Sequence, residues 1–314
     1  MRYRPLGNTG LQVSEISLGT AEFGLDYGFK GGSSYGKPDR GESIRLLYAA
    51  LDYGINFIDT ARAYGDSEEI IGQALQGVSS QPYVSTKVML SKEAPQKSLP
   101  ALRQEIFGSL EASLRALKLE TVDLLLIHNT GLDQLQNQLV LTCLQEVCQQ
   151  GKARYLGASC YDVDVALAVL QHPLFRVLQA PFNLLDQKMN REGIPTAGAL
   201  DVGVVIRSAY LRGVLTPQVH TIPKRLASLK ARALQVLTLL GSEVNSLAEA
   251  ALRFSLSLAG VSSVLIGVKT VAELKANLAD ANRGALPGEY LPKLQALSFD
   301  EDPIVDPRTW QDLI

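Results

Sequence analysis

Four polar residues able to move or orient a proton lie at or just beyond the ends of three consecutive apolar segments of this 314-residue chain. Asp59 lies at the end of the first segment and Tyr64 just beyond it. Lys87 lies at the end of the second segment, and His128 ends the third. A tyrosine is a poor acid near neutral pH because its pKa is ordinarily about 10, but a nearby ammonium lowers that pKa. An aspartate can keep a buried ammonium charged, and a neutral imidazole can donate a hydrogen bond to a carbonyl oxygen. Together these residue types predict a site that gives a proton to an oxygen gaining negative charge.

Apolar runs typical of β-strands alternate with segments of helical period, which indicates an α/β fold with a parallel sheet covered by helices. The strand-like runs are residues 16–18, 56–60, 83–88, 122–128, 154–159, 177–183, 202–208 and 263–267. The helical segments are residues 40–53, 67–75, 100–117, 134–148, 162–170, 247–257 and 271–281. Eight such strands in about 300 residues favour a closed (β/α)8 TIM barrel. The alternative is an open doubly wound sheet, whose Gly-x-Gly-x-x-Gly fingerprint is absent after the early strands.

A β-hairpin is predicted before the barrel, because residues 2–6 and 11–13 flank the turn-forming stretch Gly7-Asn8-Thr9-Gly10. The composition shows no break along the chain, so we expect a single domain over residues 1–314. Two longer irregular stretches, residues 23–39 and 211–224, are expected to be loops at the C-terminal face of the barrel. Active sites of such barrels lie at that face.

The composition excludes several classes of function. Lys and Arg number 30 against 32 Asp and Glu, and a net charge of −2 offers no field for nucleic acid or an anionic membrane. We find no apolar run long enough to cross a bilayer and no signal-peptide core, so we expect a cytoplasmic protein. Three cysteines are too few for a disulfide framework, and three histidines far apart give no metal site. The oligomeric state is left open.

Four motifs around these residues resemble the aldo-keto reductase family over nearly the whole chain. They are RPLGNTGL at residues 4–11, GINFIDTA at 54–61, VDLLLIH at 122–128 and GKARYLGAS at 151–159. The resemblance implies a (β/α)8 barrel that binds NADPH, or less often NADH, and no metal. It also implies that Tyr64 is the general acid, that Lys87 lowers the pKa of Tyr64, that Asp59 pairs with Lys87, and that His128 orients the substrate carbonyl. The nicotinamide ring then supplies the hydride.

The resemblance also assigns cofactor contacts. Asp59 and Thr20 would lie near the nicotinamide, and Ser159 and Gln179 would hold its carboxamide. Ser208, Leu211 and Gly213 would follow the pyrophosphate. The adenosine end would be held by Gly267, Lys269, Thr270, Glu273 and Asn277, where a helix N-terminus also suits phosphate.

Three positions depart from the family pattern. Cys160 stands where the family often has Asn. Arg207 stands where many members place an aromatic ring on the nicotinamide, although a guanidinium can also stack on a ring. Glu273 stands where NADPH-preferring members often have Arg or Gln, and its carboxylate would repel a 2′-phosphate, while Lys269 would attract one.

The sequence therefore predicts an NAD(P)(H)-dependent oxidoreductase that reduces small aldehydes or ketones, with NADPH the expected cofactor and NADH possible. The substrate would be a small carbonyl or sugar-like compound. Tyr27, Phe29 and Asn129 are the candidate substrate residues. The alternatives are an NAD-dependent aldose or pyridoxal dehydrogenase and a cofactor-sensing regulatory barrel. A barrel hydrolase would need two facing carboxylates, and only Asp59 lies at a suitable strand end.

Overall fold

Eight parallel strands close into a barrel in the computed structural model, which describes residues 1–32, 35–299 and 303–314. The barrel strands are β3 (Ile16–Gly19), β4 (Phe57–Asp59), β5 (Tyr83–Val88), β6 (Val122–Ile127), β7 (Ala153–Ser159), β8 (Phe175–Pro181), β9 (Gly203–Arg207) and β10 (Ser263–Gly267). Each strand pairs with the next in chain order, and β10 closes the ring against β3. The predicted TIM barrel is confirmed, and every predicted run overlaps one barrel strand.

The predicted N-terminal hairpin is also confirmed. Its strands, β1 (Tyr3–Pro5) and β2 (Gln12–Ser14), pair antiparallel, with Arg4 opposite Val13. Leu6, Leu11 and Val13 are buried in the same cluster as the inward side chains of the barrel. The hairpin therefore closes the end of the barrel opposite the mouth and buries apolar surface there.

Twelve helices lie in the described residues, and the longer ones surround the barrel. They are α1 (Ala21–Gly24), α2 (Arg40–Asp52), α3 (Ser67–Leu75), α4 (Leu99–Leu117), α5 (Leu132–Leu135), α6 (Gln138–Gln149), α7 (Val163–Gln171), α8 (Gly193–Ala199), α9 (Ala227–Leu240), α10 (Leu247–Leu256), α11 (Val271–Asn282) and α12 (Leu291–Gln295). In α4, Leu102, Ile106 and Leu110 are buried at four-residue steps, as the sequence predicts. Helices α1, α8, α9 and α12 lie outside the predicted helical segments. None of the described helices combines the length and apolarity needed to cross a bilayer.

Alternation along the strands positions the site. Phe57, Leu126, Val177 and Val205 belong to the cluster inside the barrel, whereas their chain neighbours belong to the larger cluster between strands and helices. Because strand side chains alternate between faces, residues two positions further along also point inward. Those residues are Asp59, His128, Gln179 and Arg207, and Lys87 occupies the same inward series on β5. The fold thus collects these polar side chains in one layer at the mouth.

Candidate active site

A buried ion pair between Lys87 and Asp59 lies at the floor of the mouth. Lys87 Nζ donates to Asp59 Oδ2 at 2.5 Å and to the carbonyl oxygen of Thr60 at 2.8 Å. Gln179 Nε2 donates to the other carboxylate oxygen, Oδ1, at 2.9 Å. Burial lowers the pKa of Lys87, but the charges and hydrogen bonds of Asp59 and Tyr64 together outweigh burial and raise that pKa. Lys87 therefore stays charged at the bottom of the site.

Tyr64 packs against this pair and against His128. Lys87 Nζ lies 4.9 Å from the centre of the Tyr64 ring, and the His128 ring meets it edge-on with centroids 5.7 Å apart. Burial raises the pKa of Tyr64, and it outweighs the opposing charges of Lys87 and Arg207. The lowering effect that the sequence suggests for Lys87 is present, but the net direction is upward. Tyr64 is therefore protonated at neutral pH, which is the form that a proton donor requires.

His128 is held neutral. Burial, followed by the positive charges of Lys87 and Arg207, lowers the pKa of His128 to about 3. Its Nδ1 is buried and has no hydrogen-bond partner within the described part of the chain. The ring is only half-buried and faces inward, so a neutral imidazole can donate one hydrogen bond toward the mouth. The residue after it, Asn129, is exposed and turns the chain with a φ of 55°.

The segment that carries Tyr64 is anchored to β5 by a residue that sequence reasoning did not single out. Glu68, in the first turn of α3, is fully buried. Its carboxylate accepts from Thr86 Oγ1 at 2.6 Å and from Arg62 Nη1 at 2.7 Å. Thr86 is the neighbour of Lys87, so Glu68 connects the Tyr64 segment to the strand that carries the lysine. The sequence shows only that Glu68 lies at the start of a predicted helix. It does not show that the carboxylate is buried.

A cavity of about 540 Å³ opens beside these residues, in the range typical of ligand sites. Of the predicted cofactor residues, it is lined by Ser208, Leu211, Gly213, Gly267, Lys269, Glu273 and Asn277. The remainder of the predicted set, Thr20, Asp59, Ser159, Gln179, Arg207 and Thr270, lies outside this lining. The lining residues come from the ends of β9 and β10 and from α11, so the cavity suits an elongated ligand across that side of the barrel.

The predicted nicotinamide contacts are buried next to the ion pair. Thr20 Oγ1 donates to the backbone oxygen of Asp59 at 3.0 Å. Ser159 and Gln179 are each 1% exposed, and the Gln179 amide is already bonded to Asp59. In this structure these three side chains border the floor of the site, and Gln179 also holds the carboxylate in place.

The three candidate substrate residues are dispersed. Tyr27 lines the cavity, where the Arg212 guanidinium lies 4.2 Å from its ring centre. Phe29 is buried, with its ring 5.9 Å from that of Trp310, and so belongs to the hydrophobic core. Asn129 remains at the mouth, beside His128. Asn129 follows His128 in the chain, and Tyr27 lies close enough to Tyr64 for their charges to interact, whereas Phe29 is packed in the core.

The N-terminus of α11 borders the cavity, at the residues predicted to hold the adenosine end of the cofactor. Thr270 caps the helix by accepting from the backbone N–H of Glu273, whose carboxylate in turn accepts from the backbone N–H of Lys269 at 2.7 Å. The ammonium of Lys269 donates instead to the carbonyl oxygen of Tyr27 at 2.8 Å. A carboxylate thus lies at this helix start, while a lysine bridges toward the loop after β3.

Glu22 is a further acid in the cavity that the sequence analysis did not select. It is 9% exposed and lies so close to Gly267 that a Cβ on that glycine would come within 2.0 Å of its Oε1. Burial raises the pKa of Glu22 to about 7, against the weaker influence of Lys269 and Arg212. The sequence places Glu22 directly after Thr20 and Ala21, but it does not show that the side chain is buried.

Comparison with known proteins adds an independent observation. The sequence model of the Aldo/keto reductase family matches residues 15–298. L-galactose dehydrogenase of Arabidopsis thaliana is 30% identical over 315 residues, which cover 95% of this chain and 91% of that protein. NADH-specific methylglyoxal reductase of Escherichia coli is 31% identical over 232 residues, covering 69% of each. The holo structure of aldo-keto reductase AKR11C1 from Bacillus halodurans has a TM-score of 0.78, covers 96% of this chain and 97% of that one, and at 23% identity shows the shared fold.

Proposed function

Because the chain belongs to the aldo/keto reductase family, we propose that it reduces small aldehydes or ketones with a nicotinamide dinucleotide and that Tyr64 is its general acid. The family relationship supports an oxidoreductase acting on aldehydes or sugars. One observation carries the finer proposal. A protonated phenol packs on a charged, buried lysine and on a neutral histidine at the mouth of the barrel.

The side chains divide the work of proton transfer. Tyr64 gives its proton to the carbonyl oxygen, and the ammonium of Lys87 stabilises the phenolate that results. Asp59 and Gln179 keep that ammonium charged and fixed in place. His128, neutral at all pH values well above 3, donates a hydrogen bond that orients the carbonyl. A reduced nicotinamide supplies the hydride when bound.

We infer that NADH is preferred over NADPH, although the sequence favours NADPH. The carboxylate of Glu273 lies at the start of α11, where it repels a 2′-phosphate and can accept from a ribose hydroxyl. Lys269, the cation that would attract that phosphate, directs its ammonium to the Tyr27 carbonyl. An NADH-specific relative at 31% identity is consistent with this preference.

The decisive test replaces Tyr64 by Phe, which removes the hydroxyl and keeps the ring. We expect the Tyr64→Phe variant to lose at least about 100-fold in kcat with a generic aldehyde, because general acid catalysis is worth about that much or more. Binding of NADH, followed by its fluorescence, should stay within about 2-fold of wild type because the hydroxyl contributes to chemistry. Wild-type protein that is folded yet inactive with both NADH and NADPH would defeat the proposal.

A second candidate function is oxidation of an aldose with NAD⁺. The observation that favours it is the match to L-galactose dehydrogenase over 95% of this chain. The same residues serve the reverse reaction, since Tyr64 as phenolate would accept the alcohol proton. Assaying aldoses with NAD⁺ and aldehydes with NADH on one preparation separates the two directions. A cofactor-sensing regulatory barrel would bind the nucleotide with turnover in neither.

A further inference from the structure

The proposed acid, Tyr64, lies on a connecting loop, whereas the lysine beside it lies on a strand. Strand β4 ends at Asp59 and helix α3 begins at Ser67, so Tyr64 falls between the two elements. Lys87 lies within β5, which is hydrogen-bonded to β4 on one side and to β6 on the other. Proton transfer requires the phenol to stay in place over the ammonium. The loop must therefore be held by contacts of its own.

Glu68 closes this loop on itself. It follows Tyr64 by four positions, and Arg62 precedes Tyr64 by two. Arg62 Nη1 donates to Glu68 Oε2 at 2.7 Å, so these two side chains join the chain before and after the acid. Two backbone bonds tighten the same stretch, from the Tyr64 N–H to the Ala61 oxygen at 2.9 Å and from the Ser67 N–H to the Tyr64 oxygen at 3.1 Å.

The other carboxylate oxygen of Glu68 fastens the closed loop to β5. Thr86 Oγ1 donates to Glu68 Oε1 at 2.6 Å. Because side chains alternate along a strand, Thr86 points to the outer face of the barrel while its neighbour Lys87 points inward. Glu68 thus holds β5 from outside, and Tyr64 contacts the lysine of the same strand from the mouth. The 4.9 Å between Lys87 Nζ and the Tyr64 ring centre depends on this connection.

The burial of Glu68 is not explained by stability alone. Its side chain is fully buried, whereas that of its ion-pair partner Arg62 is 34% exposed. Taking a carboxylate out of water is costly, and replacing a buried ion pair by apolar residues often leaves stability unchanged or raises it. What an apolar pair cannot supply is two hydrogen bonds of fixed direction, one to the loop and one to the strand.

Resting on the proposed function, we propose that Glu68 is a positioning residue, which holds the phenol of Tyr64 over the ammonium of Lys87 for proton transfer. Because Glu68 is fully buried, it acts through Tyr64 rather than by touching substrate or cofactor. Loss of its contacts should therefore lower the rate of the chemical step and leave the affinity for the nucleotide nearly unchanged.

Two variants remove the contacts with little change of shape. Glu68→Gln removes the charge, and Thr86→Val removes the hydroxyl that the carboxylate accepts from. We expect each to lower kcat for a generic aldehyde by about 10-fold or more, since a misplacement of about 1 Å can cost about 100-fold. The affinity for NADH, followed by fluorescence titration, should stay within about 3-fold of wild type.

Glu15→Gln is the matched control. Glu15 is also a buried carboxylate, 3% exposed, and it is paired with Arg2 and Arg4. It lies between the hairpin and β3, at the closed end of the barrel. Removing its charge disturbs a buried ion pair without reaching the mouth, so kcat should remain within about 2-fold of wild type at a temperature where the protein is folded.

The Tyr64→Phe background distinguishes positioning from a general structural role. If Glu68 acts through the phenol, Glu68→Gln should lower kcat by about 10-fold or more in wild type but by less than about 2-fold when the hydroxyl is already absent. A defect that disturbs the whole mouth would instead lower the residual rate of Tyr64→Phe by the same factor.

Two results would overturn the inference. One is a folded Glu68→Gln and a folded Thr86→Val that both keep kcat within about 3-fold of wild type. The other is an equal loss with and without the Tyr64 hydroxyl. If Glu68→Gln does not fold, Thr86→Val, which leaves the ion pair with Arg62 in place, decides in both backgrounds. Either result leaves reduction by Tyr64 intact. A Tyr64→Phe variant as fast as wild type would defeat the proposed function instead, so the two failures are distinct.

Discussion

Two buried carboxyl groups of the cleft, Asp59 and Glu22, differ in their partners. Asp59 is touched by the Lys87 ammonium and the Gln179 amide. Glu22 is influenced by Lys269 and Arg212, but burial is the larger effect and raises its pKa to about 7. The folded protein itself thus supplies the charge partner of Asp59, whereas the charge of Glu22 can change near neutral pH.

This difference in partners fits the chemistry that we propose around each carboxyl group. A proton donor works best when its surroundings are already arranged before the substrate arrives, and the pair of Lys87 and Asp59 provides that arrangement. The nucleotide that we propose as cofactor is negatively charged, so an acid in the cavity that can become neutral would repel it less. We therefore expect substitutions at Asp59 to affect folding and catalysis strongly, and substitutions at Glu22 to affect binding modestly.

The largest effect is expected from breaking the buried pair. Asp59→Asn and Lys87→Met should each lower the free energy of unfolding by about 3–5 kcal/mol, since each leaves a charge buried without its partner. The double variant should lose about 1–3 kcal/mol less than the sum of the two, because neither charge then remains. Urea denaturation measures all three.

Measurements of kcat distinguish a catalytic role of the Asp59–Lys87 pair from a purely structural role. The double variant should also stay at least about 100-fold below wild type in kcat, because Tyr64 lacks its ammonium. Asp66→Asn is a control, since it breaks the exposed pair with Lys37 and should cost less than about 1 kcal/mol. Additive losses in the Asp59 and Lys87 cycle would show that the pair does not act as a unit.

The next effect extends the comparison to a third acid, Glu273, which is exposed at the start of α11. Replacing Glu273 by Gln removes the repulsion on a 2′-phosphate, and we expect kcat/KM for NADPH to rise about 10-fold relative to NADH. Steady-state rates with both cofactors on one aldehyde give the ratio. Glu289→Gln, another exposed acid, should leave it unchanged. A wild type that already prefers NADPH would refute the role given to Glu273.

The barrel and the catalytic candidates could be predicted because both depend on local pattern. Each strand is a short apolar run, and the residues that end the runs must meet at one mouth once the strands are parallel. Helix α9 also has a readable pattern, with Leu229, Ala233, Val236 and Leu240 buried at three- and four-residue steps. Its start has no capping residue to mark it, because the N-cap is Leu226 and makes no side-chain cap hydrogen bond.

Contacts between distant parts of the chain could not be predicted. Phe29 looked like a loop residue for substrate, but Trp310 from the C-terminal end packs against it and makes it core. Arg207 stacks on the ring of Tyr161, a contact that the sequence does not show. Likewise, the sequence around Glu22 does not show that Gly267 lies against its carboxylate. Burial and charge partners of this kind depend on three-dimensional packing.

The smallest expected effect is a pH dependence of NADH binding that Glu22 causes. Its pKa of about 7 lies above the ordinary value of 4.5, so Glu22 is neutral below that pH and charged above it. A bound nucleotide adds negative charge nearby, so wild type should bind NADH about 3- to 10-fold more weakly above about pH 8 than below about pH 6. Glu22→Gln should bind with an affinity that varies little over this range. Fluorescence titration of NADH at several pH values makes the measurement.

Stability provides the matching control for Glu22. A carboxyl whose pKa is raised on folding binds more protons in the folded state between 4.5 and about 7, so the free energy of unfolding should fall as pH rises through that window. Glu22→Gln should remove this decline. The charged groups that face Glu22, namely Lys269, Arg212 and Glu273, are present in both proteins, so any slope that they cause would persist in the variant. If wild type and variant show the same pH dependence in both binding and unfolding, Glu22 is not the adjustable charge of the cleft, and the contrast with Asp59 fails.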